Sequence, residues 1–257
     1  MINEEILGRE QIVREVTPIG NGAHVFAPKE WVGEKVVIVK TPKLSLKKRI
    51  LKVLEPYLEN IFGVYLYGSY ARGEQREDSD IDILIISNKN FKINEKGFEI
   101  ITLKKDKITE AIKIAPVLIH SALIEAKPII NSDLLNDLKR KYKLKTLDFK
   151  EYVEETKNIV EINEEFLSPY SIILRLRGIY IISRLLSGKT YSYGDFKEWI
   201  FKGFKDTNDI KTNFDYIYDA YLRVKRGLKV NVKEEDLKTF LLILRNKTKK
   251  LERKIHG

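Results

Sequence analysis

The chain has 257 residues, 43% of them hydrophobic, with 47 Lys and Arg against 37 Asp and Glu, a formal charge of +10 and no cysteine. That length supplies one large domain or two modest ones with real cores. Without cysteine there are no disulfides, thiolate zinc sites or cysteine nucleophiles, so a metal must be held by carboxylates or by the three histidines, and oxygen ligands favour magnesium or manganese.

The first 42 residues are rich in β-formers and broken by Gly20-Asn21-Gly22, Pro28 and Gly33. This is strand-and-turn chemistry, with strands expected near Val13 to Ile19, His24 to Ala27 and Glu34 to Val39. So short a piece makes a poor core alone and should pack on something else or on a second copy of itself. Thr41-Pro42-Lys43 then punctuates the chain. Apolar residues from Leu44 to Ile61 recur at helical spacing behind Ser45, predicting a helix that leads into a strand at Val64 to Tyr67. After Gly68-Ser69 and a polar stretch, Asp80 to Ile86 reads as a central strand. A third strand fits Phe98 to Leu103, and a helix fits Ile108 to Ala126 with a kink at Pro116.

From Asn131 onward helix signals repeat. Asn131 or Ser132 caps one helix, and Ser168-Pro169 opens another that Gly188 closes. Further helices fit Tyr193 to Lys202, Asp209 to Arg226 and Val232 to Lys254. The expected organisation is α+β: a short β-hairpin arm over 1–42, a small mixed α/β sheet domain over 43–130 and an all-helical C-terminal domain over 131–257.

No uninterrupted apolar run approaches the roughly 20 residues needed to cross a bilayer, and the N-terminus, with Glu4, Glu5 and Arg9, has no apolar signal region. These features predict a cytoplasmic protein. The positive charge suggests an anionic partner such as a nucleotide or nucleic acid. It is unevenly spread: residues 205–257 carry 14 basic against 8 acidic side chains, whereas 1–42 carry 5 against 6. Lysine-rich proteins are often basic without such a partner, and abundant Lys, Glu and Ile with two glutamines is also the composition of many heat-adapted proteins.

The chemistry concentrates at Gly68-Ser69 and at Asp80 and Asp82. Two aspartates alternating along a strand point to one face, roughly 7 Å apart. Placing like charges at the start of a strand destined for burial costs stability unless a cation lies between them. Such a pair can bridge hard metal ions, the arrangement for in-line phosphoryl transfer. A glycine turn at a helix start supplies the complementary half, because the backbone can approach a phosphate and peptide and hydroxyl donors can bind its oxygens.

Gly68-Ser69-Tyr70-Ala71-Arg72-Gly73-Glu74 followed by Asp78-Ser79-Asp80-Ile81-Asp82-Ile83-Leu84 closely resembles the DNA polymerase β-like nucleotidyltransferases, especially the minimal nucleotidyltransferase (MNT) proteins. The resemblance covers about Leu46 to Asn131. It implies magnesium- or manganese-dependent transfer of a nucleoside monophosphate from an NTP, ATP first among them, to an acceptor hydroxyl with release of pyrophosphate. Asp80 and Asp82 would be catalytic metal ligands, with Gly68, Ser69 and Arg72 at the nucleotide. Arg72 could equally pair with Glu74, Glu77 or Asp78. The family's third carboxylate falls on Glu99, one carbon longer than the usual aspartate, to serve as metal ligand or as general base. An exposed strand glutamate explains the same residue, with Glu95 and Asp106 as substitutes.

The first 42 residues resemble small AbrB-like swapped-hairpin proteins, in particular archaeal transposon-associated ones, through Ile19-Gly20-Asn21-Gly22-Ala23-His24-Val25 and Pro28-Lys29-Glu30-Trp31-Val32-Gly33. That likeness implies a homodimer and a possible nucleic-acid partner. The stretch from Ser168 to Tyr180 resembles helical domains attached to archaeal and aminoglycoside nucleotidyltransferases, which implies that Tyr170, Arg175 and Arg177 meet the nucleotide, although arginines so spaced also suit an ordinary helix surface. Two functions follow: an enzyme that nucleotidylates a protein, an RNA end or a small molecule, or a nucleic-acid-binding regulator with a slow or inactive transferase site.

Overall fold

A computed structural model describes residues 12, 14–39, 44–77, 79–202 and 207–256, with side chains of the last segment from 213 to 255. The chain divides into two units, residues 1–45 and 46–257. In the first, β1 (Thr17–Ile19) and β2 (Gly22–His24) form an antiparallel hairpin with Thr17 opposite His24 and Ile19 opposite Gly22. The two-residue turn, Gly20-Asn21, uses the left-handed conformation that glycine allows, with φ of 52° at Gly20. The third expected strand does not form: residues 34–39 pair with no strand, and Val37, Ile38 and Val39 are 80%, 74% and 69% exposed. A β-branched run needs a pairing edge, and none is offered among the described residues. Val13 lies outside them.

The second unit begins with α1 (Leu46–Leu54) and a 3-10 segment over Glu55–Asn60, so the predicted helix tightens where Pro56 enters. Next come β3 (Ile61–Tyr67), the five-residue α2 (Gly68–Arg72), β4 (Ile81–Ser87) and β5 (Phe98–Lys104). A fourth strand, β6 (Lys127–Ile130), was not expected from the sequence; it follows α3 (Ile108–Ile114) and α4 (Pro116–Glu125). The break between those helices falls at Ala115, immediately before the proline.

The sheet order is β5-β4-β3-β6, with β4 and β5 parallel and the other pairs antiparallel. Its strands alternate between two cores, as the pleat requires. Val64, Leu66, Ile81, Ile83 and Ile85 pack with Ile50 and Leu54 of α1 and Ala71 of α2. Tyr65, Tyr67, Leu84 and Ile86 pack against α3, α4 and α5 (Ser132–Lys141). Asn131 caps α5 by accepting the Leu134 N–H at 3.0 Å, and its amide donates to the Phe62 carbonyl at 2.9 Å, tying the first C-terminal helix to β3.

The remaining helices are α6 (Lys150–Glu165), α7 (Pro169–Leu185), α8 (Tyr193–Phe201), α9 (Thr207–Lys225) and α10 (Glu234–His256). The Ser168 hydroxyl accepts the Ser171 N–H at the start of α7, as a cap should. Helix α6 was not singled out from the sequence. One core binds all five, built on Ile172, Ile173, Leu176, Ile179, Phe214 and Phe240. No described helix is long and apolar enough to cross a membrane.

Gly178 lets α6 and α7 touch: a Cβ there would stand 1.8 Å from the Tyr152 hydroxyl and 2.5 Å from its Cζ. Gly178→Val should therefore overpack the contact and cost about 1–3 kcal/mol. Urea unfolding checks this, and a variant as stable as wild type would show that the ring yields freely.

Candidate active site

Strand pairing brings the sequence-selected residues together. In the sheet register Tyr67 lies opposite Asp82, and Asp82 lies beside Glu99. Asp82 continues the face that carries Leu84 and Ile86, but it stands at the strand's beginning, where the apolar cover ends. Asp80 precedes β4 and is exposed. Asp78 lies outside the described residues.

Gly68 follows Tyr67 directly and starts α2 with φ of 68°. Any other residue would be strained there. A Cβ at this position would lie 1.9 Å from Asp82 Oδ2 and 2.7 Å from its Cγ, and the backbone conformation itself disfavours any side chain. The helix it opens is closed by Gly73, again left-handed with φ of 77°, whose N–H bonds the Ser69 carbonyl. The two glycines of the motif thus bracket one tight turn of helix, with Ser69 half-buried at its start and Ala71 packed into the sheet.

The Asp82 carboxyl is pushed up to about 7. Burial is the main cause, and Glu99 and Asp80 add like charge, while Lys225 and Arg72 pull in the opposite direction. No hydrogen bond or ion pair from a described residue satisfies Asp82. A half-buried carboxyl crowded by other carboxyls and lacking a partner suits a divalent cation, and carboxylate oxygens suit a hard one. Tyr67 is also raised, by burial and then by Asp82, Glu99 and Glu125.

Glu99 does not join Asp80 and Asp82 in a ready-made trio: among the described residues no three carboxylate or imidazole groups are spaced to hold a metal. Its Oε2 instead accepts a hydrogen bond from Lys225 Nζ at 3.0 Å. Asp106 follows the far end of β5, paired with Lys104 at 3.5 Å, and Glu95 precedes the strand, its carbonyl bonded by the Phe98 N–H. Of the three acidic residues considered for this role, Glu99 alone sits in register with Asp82.

Arg72 pairs with Glu74 at 2.9 Å and with Glu125, and its guanidinium lies 4.9 Å from the centre of the Tyr191 ring. Glu125 ends a helix that is apolar but for His120 and Ser121, which was itself a signal that it must be paired. It also accepts from Ser121 and from the Tyr191 N–H. Arg177 also lies near the Tyr191 ring, 5.4 Å from its centre, and donates to the Tyr221 hydroxyl at 2.6 Å. Tyr170 stacks on Tyr221 with centroids 5.5 Å apart. Arg175 turns elsewhere, to Glu155 at 2.8 Å and over Tyr152. Lys225, Glu125, Tyr191 and Tyr221 were missed by motif reading because each lies far along the chain from the Gly-Ser and Asp pattern.

Of the histidines, His24 contacts Thr17 at 3.1 Å and His120 contacts Asp148 at 3.0 Å, each away from the carboxylates in sequence and in partners. The side chain of His256 lies outside the described residues.

Comparison with known proteins assigns a class to this arrangement. The Nucleotidyltransferase domain family matches residues 46–175, half of the chain, and the protein belongs to that family. Residues 9–40 match the family described as "Putative transposon-encoded protein (DUF2080)", in line with the transposon-associated resemblance of the arm. Over 47 residues the chain is 40% identical to a Methanocaldococcus jannaschii protein named "Putative protein adenylyltransferase"; the match covers 18% of this chain and 47% of the relative, so this chain spans about half the length of the curated relative it matches.

Among solved structures, the spectinomycin adenyltransferase AAD(9) from Enterococcus faecialis, crystallised with ATP and spectinomycin, is similar over 79% of this chain and 97% of its own, at 14% identity and a TM-score of 0.49. A nucleotidyltransferase-like protein from Exiguobacterium sibiricum is similar over 82% and 78%, at 12% identity and a TM-score of 0.33. Neither likeness bears on the reaction.

The raised Asp82 carboxyl has a consequence for stability. Between its ordinary value near 3.8 and about 7, the folded chain holds a proton that the unfolded chain has released, so this group's contribution to stability falls as pH rises through that window. In chelator, Asp82→Asn should remove that decline, leaving the variant more stable than wild type at pH 8 and closer to it at pH 5. Denaturant midpoints across this range decide the matter, and parallel pH profiles would contradict it.

Proposed function

We propose that the protein transfers a nucleoside monophosphate, AMP first among candidates, from its triphosphate to an acceptor hydroxyl and releases pyrophosphate. The observation that carries this is the half-buried Asp82 carboxyl, unpartnered among the described residues and pressed against Gly68, beside Asp80 and Glu99. Family membership supports the transferase reading, and the similarity to a protein named as a protein adenylyltransferase supports ATP as donor and a protein hydroxyl as acceptor, ahead of an RNA end or a small molecule.

In this reading Asp80, Asp82 and Glu99 hold magnesium, which when bound neutralises charge developing on the transferring phosphoryl group and on the leaving pyrophosphate. Gly68 allows the chain to approach the phosphates without a side chain in the way, and Ser69 presents its hydroxyl and peptide N–H at the start of α2. Arg72 adds positive charge on the same side, while Glu74 and Glu125 keep its guanidinium aligned. Glu99, 49% exposed at its side chain, is open to an incoming acceptor and suits either metal binding or receipt of the hydroxyl proton.

Incubation with α-labelled ATP and magnesium in cell extract tests the reaction. Asp80→Asn and Asp82→Asn should each lower incorporation by at least about 100-fold, since several kcal/mol of charge stabilisation depend on the metal. Near wild-type incorporation by Asp82→Asn would remove the site from consideration.

We further propose that residues 1–42 mediate a homodimer, supported by the exposure of Val16, Ile19, Phe26, Val32 and residues 36–39 in the arm. Light scattering should report a dimer for the full chain and a monomer for a chain beginning at Lys43. A monomer in both would contradict the proposal.

A further inference from the structure

Lys225 ends α9, nearly at the far end of the sequence from the strands, yet its Nζ sits 3.0 Å from Glu99 Oε2 on β5. Its positive charge is also felt by Asp82, two strands' worth of sheet being spanned by one ammonium. Next to it on the same helix stands Tyr221, which receives the Arg177 Nη1–H. The Arg177 Nε is buried without a hydrogen-bond partner, and among the described residues no carboxylate pairs with this guanidinium. The last turn of α9 therefore turns one cation, Lys225, toward the sheet edge at which Asp82 and Glu99 stand, with Asp80 just before it.

We propose that Lys225 is a built-in counter-ion for that edge: in the metal-free protein its ammonium occupies Glu99, a divalent cation must displace it, and the triphosphate of an incoming metal–nucleotide complex gives the displaced ammonium a new anionic partner. The inference rests on the metal-binding reading of Asp80, Asp82 and Glu99 given above. Charge accounts for the consequence. A free divalent cation entering the carboxylates meets the repulsion of Lys225 and must break its ion pair, with nothing returned. A metal–triphosphate complex is net negative and restores a partner to Lys225. Lys225 thus makes the site select metal that arrives with a nucleotide over metal alone.

Removal of this one charge should move two affinities in opposite directions, which loss of packing would not do. Free manganese, followed by its paramagnetic signal, should bind Lys225→Met about two- to fivefold more tightly than wild type, the range an exposed ion pair commands. Manganese with α,β-methylene-ATP, which cannot be cleaved at the reacting bond, should bind the same variant more weakly. Lys225→Arg should resemble wild type in both. In a Glu99→Gln background, where there is no ion pair to break, Lys225→Met should no longer tighten free manganese. Unchanged or weaker manganese binding by Lys225→Met, or the same tightening in the Glu99→Gln background, would overturn the counter-ion role. Wild-type manganese affinity in Asp82→Asn would instead overturn the metal site on which the inference rests.

Discussion

The approach of Gly68 to the Asp82 carboxyl is the constraint on which the site depends. A side chain at position 68 has no room, because its first carbon would fall 1.9 Å from Asp82 Oδ2, and the backbone there is left-handed. The glycine permits β3 to pass directly into α2, so that the peptide and hydroxyl donors at Ser69 stand beside the carboxylates of the neighbouring strand. Without that approach the motif's two halves, eleven residues apart from Ser69 to Asp80, would have no reason to meet.

The sheet places acidic residues where hydrophobic burial ends. Ile81, Ile83 and Ile85 secure β4 on one side, and Leu84 and Ile86 secure it on the other. Asp82 takes the next position on the second stripe and inherits part of its burial, which is why its carboxyl is raised while it has no partner among the described residues. The strand's packing holds a charged group where only a cation or a proton relieves it. Two cations act on it: Arg72 of α2 is buttressed by Glu125 of α4 and lies over Tyr191, and Lys225 of α9 reaches Glu99.

Much of this was legible in the sequence because it is local. The glycine turn, the alternating aspartates, the β-branched runs of β3 and β4, the break at Pro116 and the caps at Asn131 and Ser168 each follow from a few adjacent residues. Contacts between distant segments were not legible. Strand β6 contains a proline and only four residues, so its pairing with β3 depends on the helices before it. The third strand expected over 34–39 illustrates the converse: Val36 to Val39 have strand-forming side chains, but propensity without a partner edge makes no strand. Lys225 resembled any other lysine in a basic C-terminal region until α9 set it against β5. Glu125, by contrast, could have been marked from sequence, since one acid amid VLIHSALIEA demands a cation nearby.

A crystal structure of the protein with manganese and α,β-methylene-ATP tests the central claim most directly. The account predicts anomalous density for manganese within coordination distance of both Asp80 and Asp82, with the triphosphate against Gly68 and Ser69. Manganese held elsewhere, or a nucleotide bound with Asp82 unligated, would contradict it.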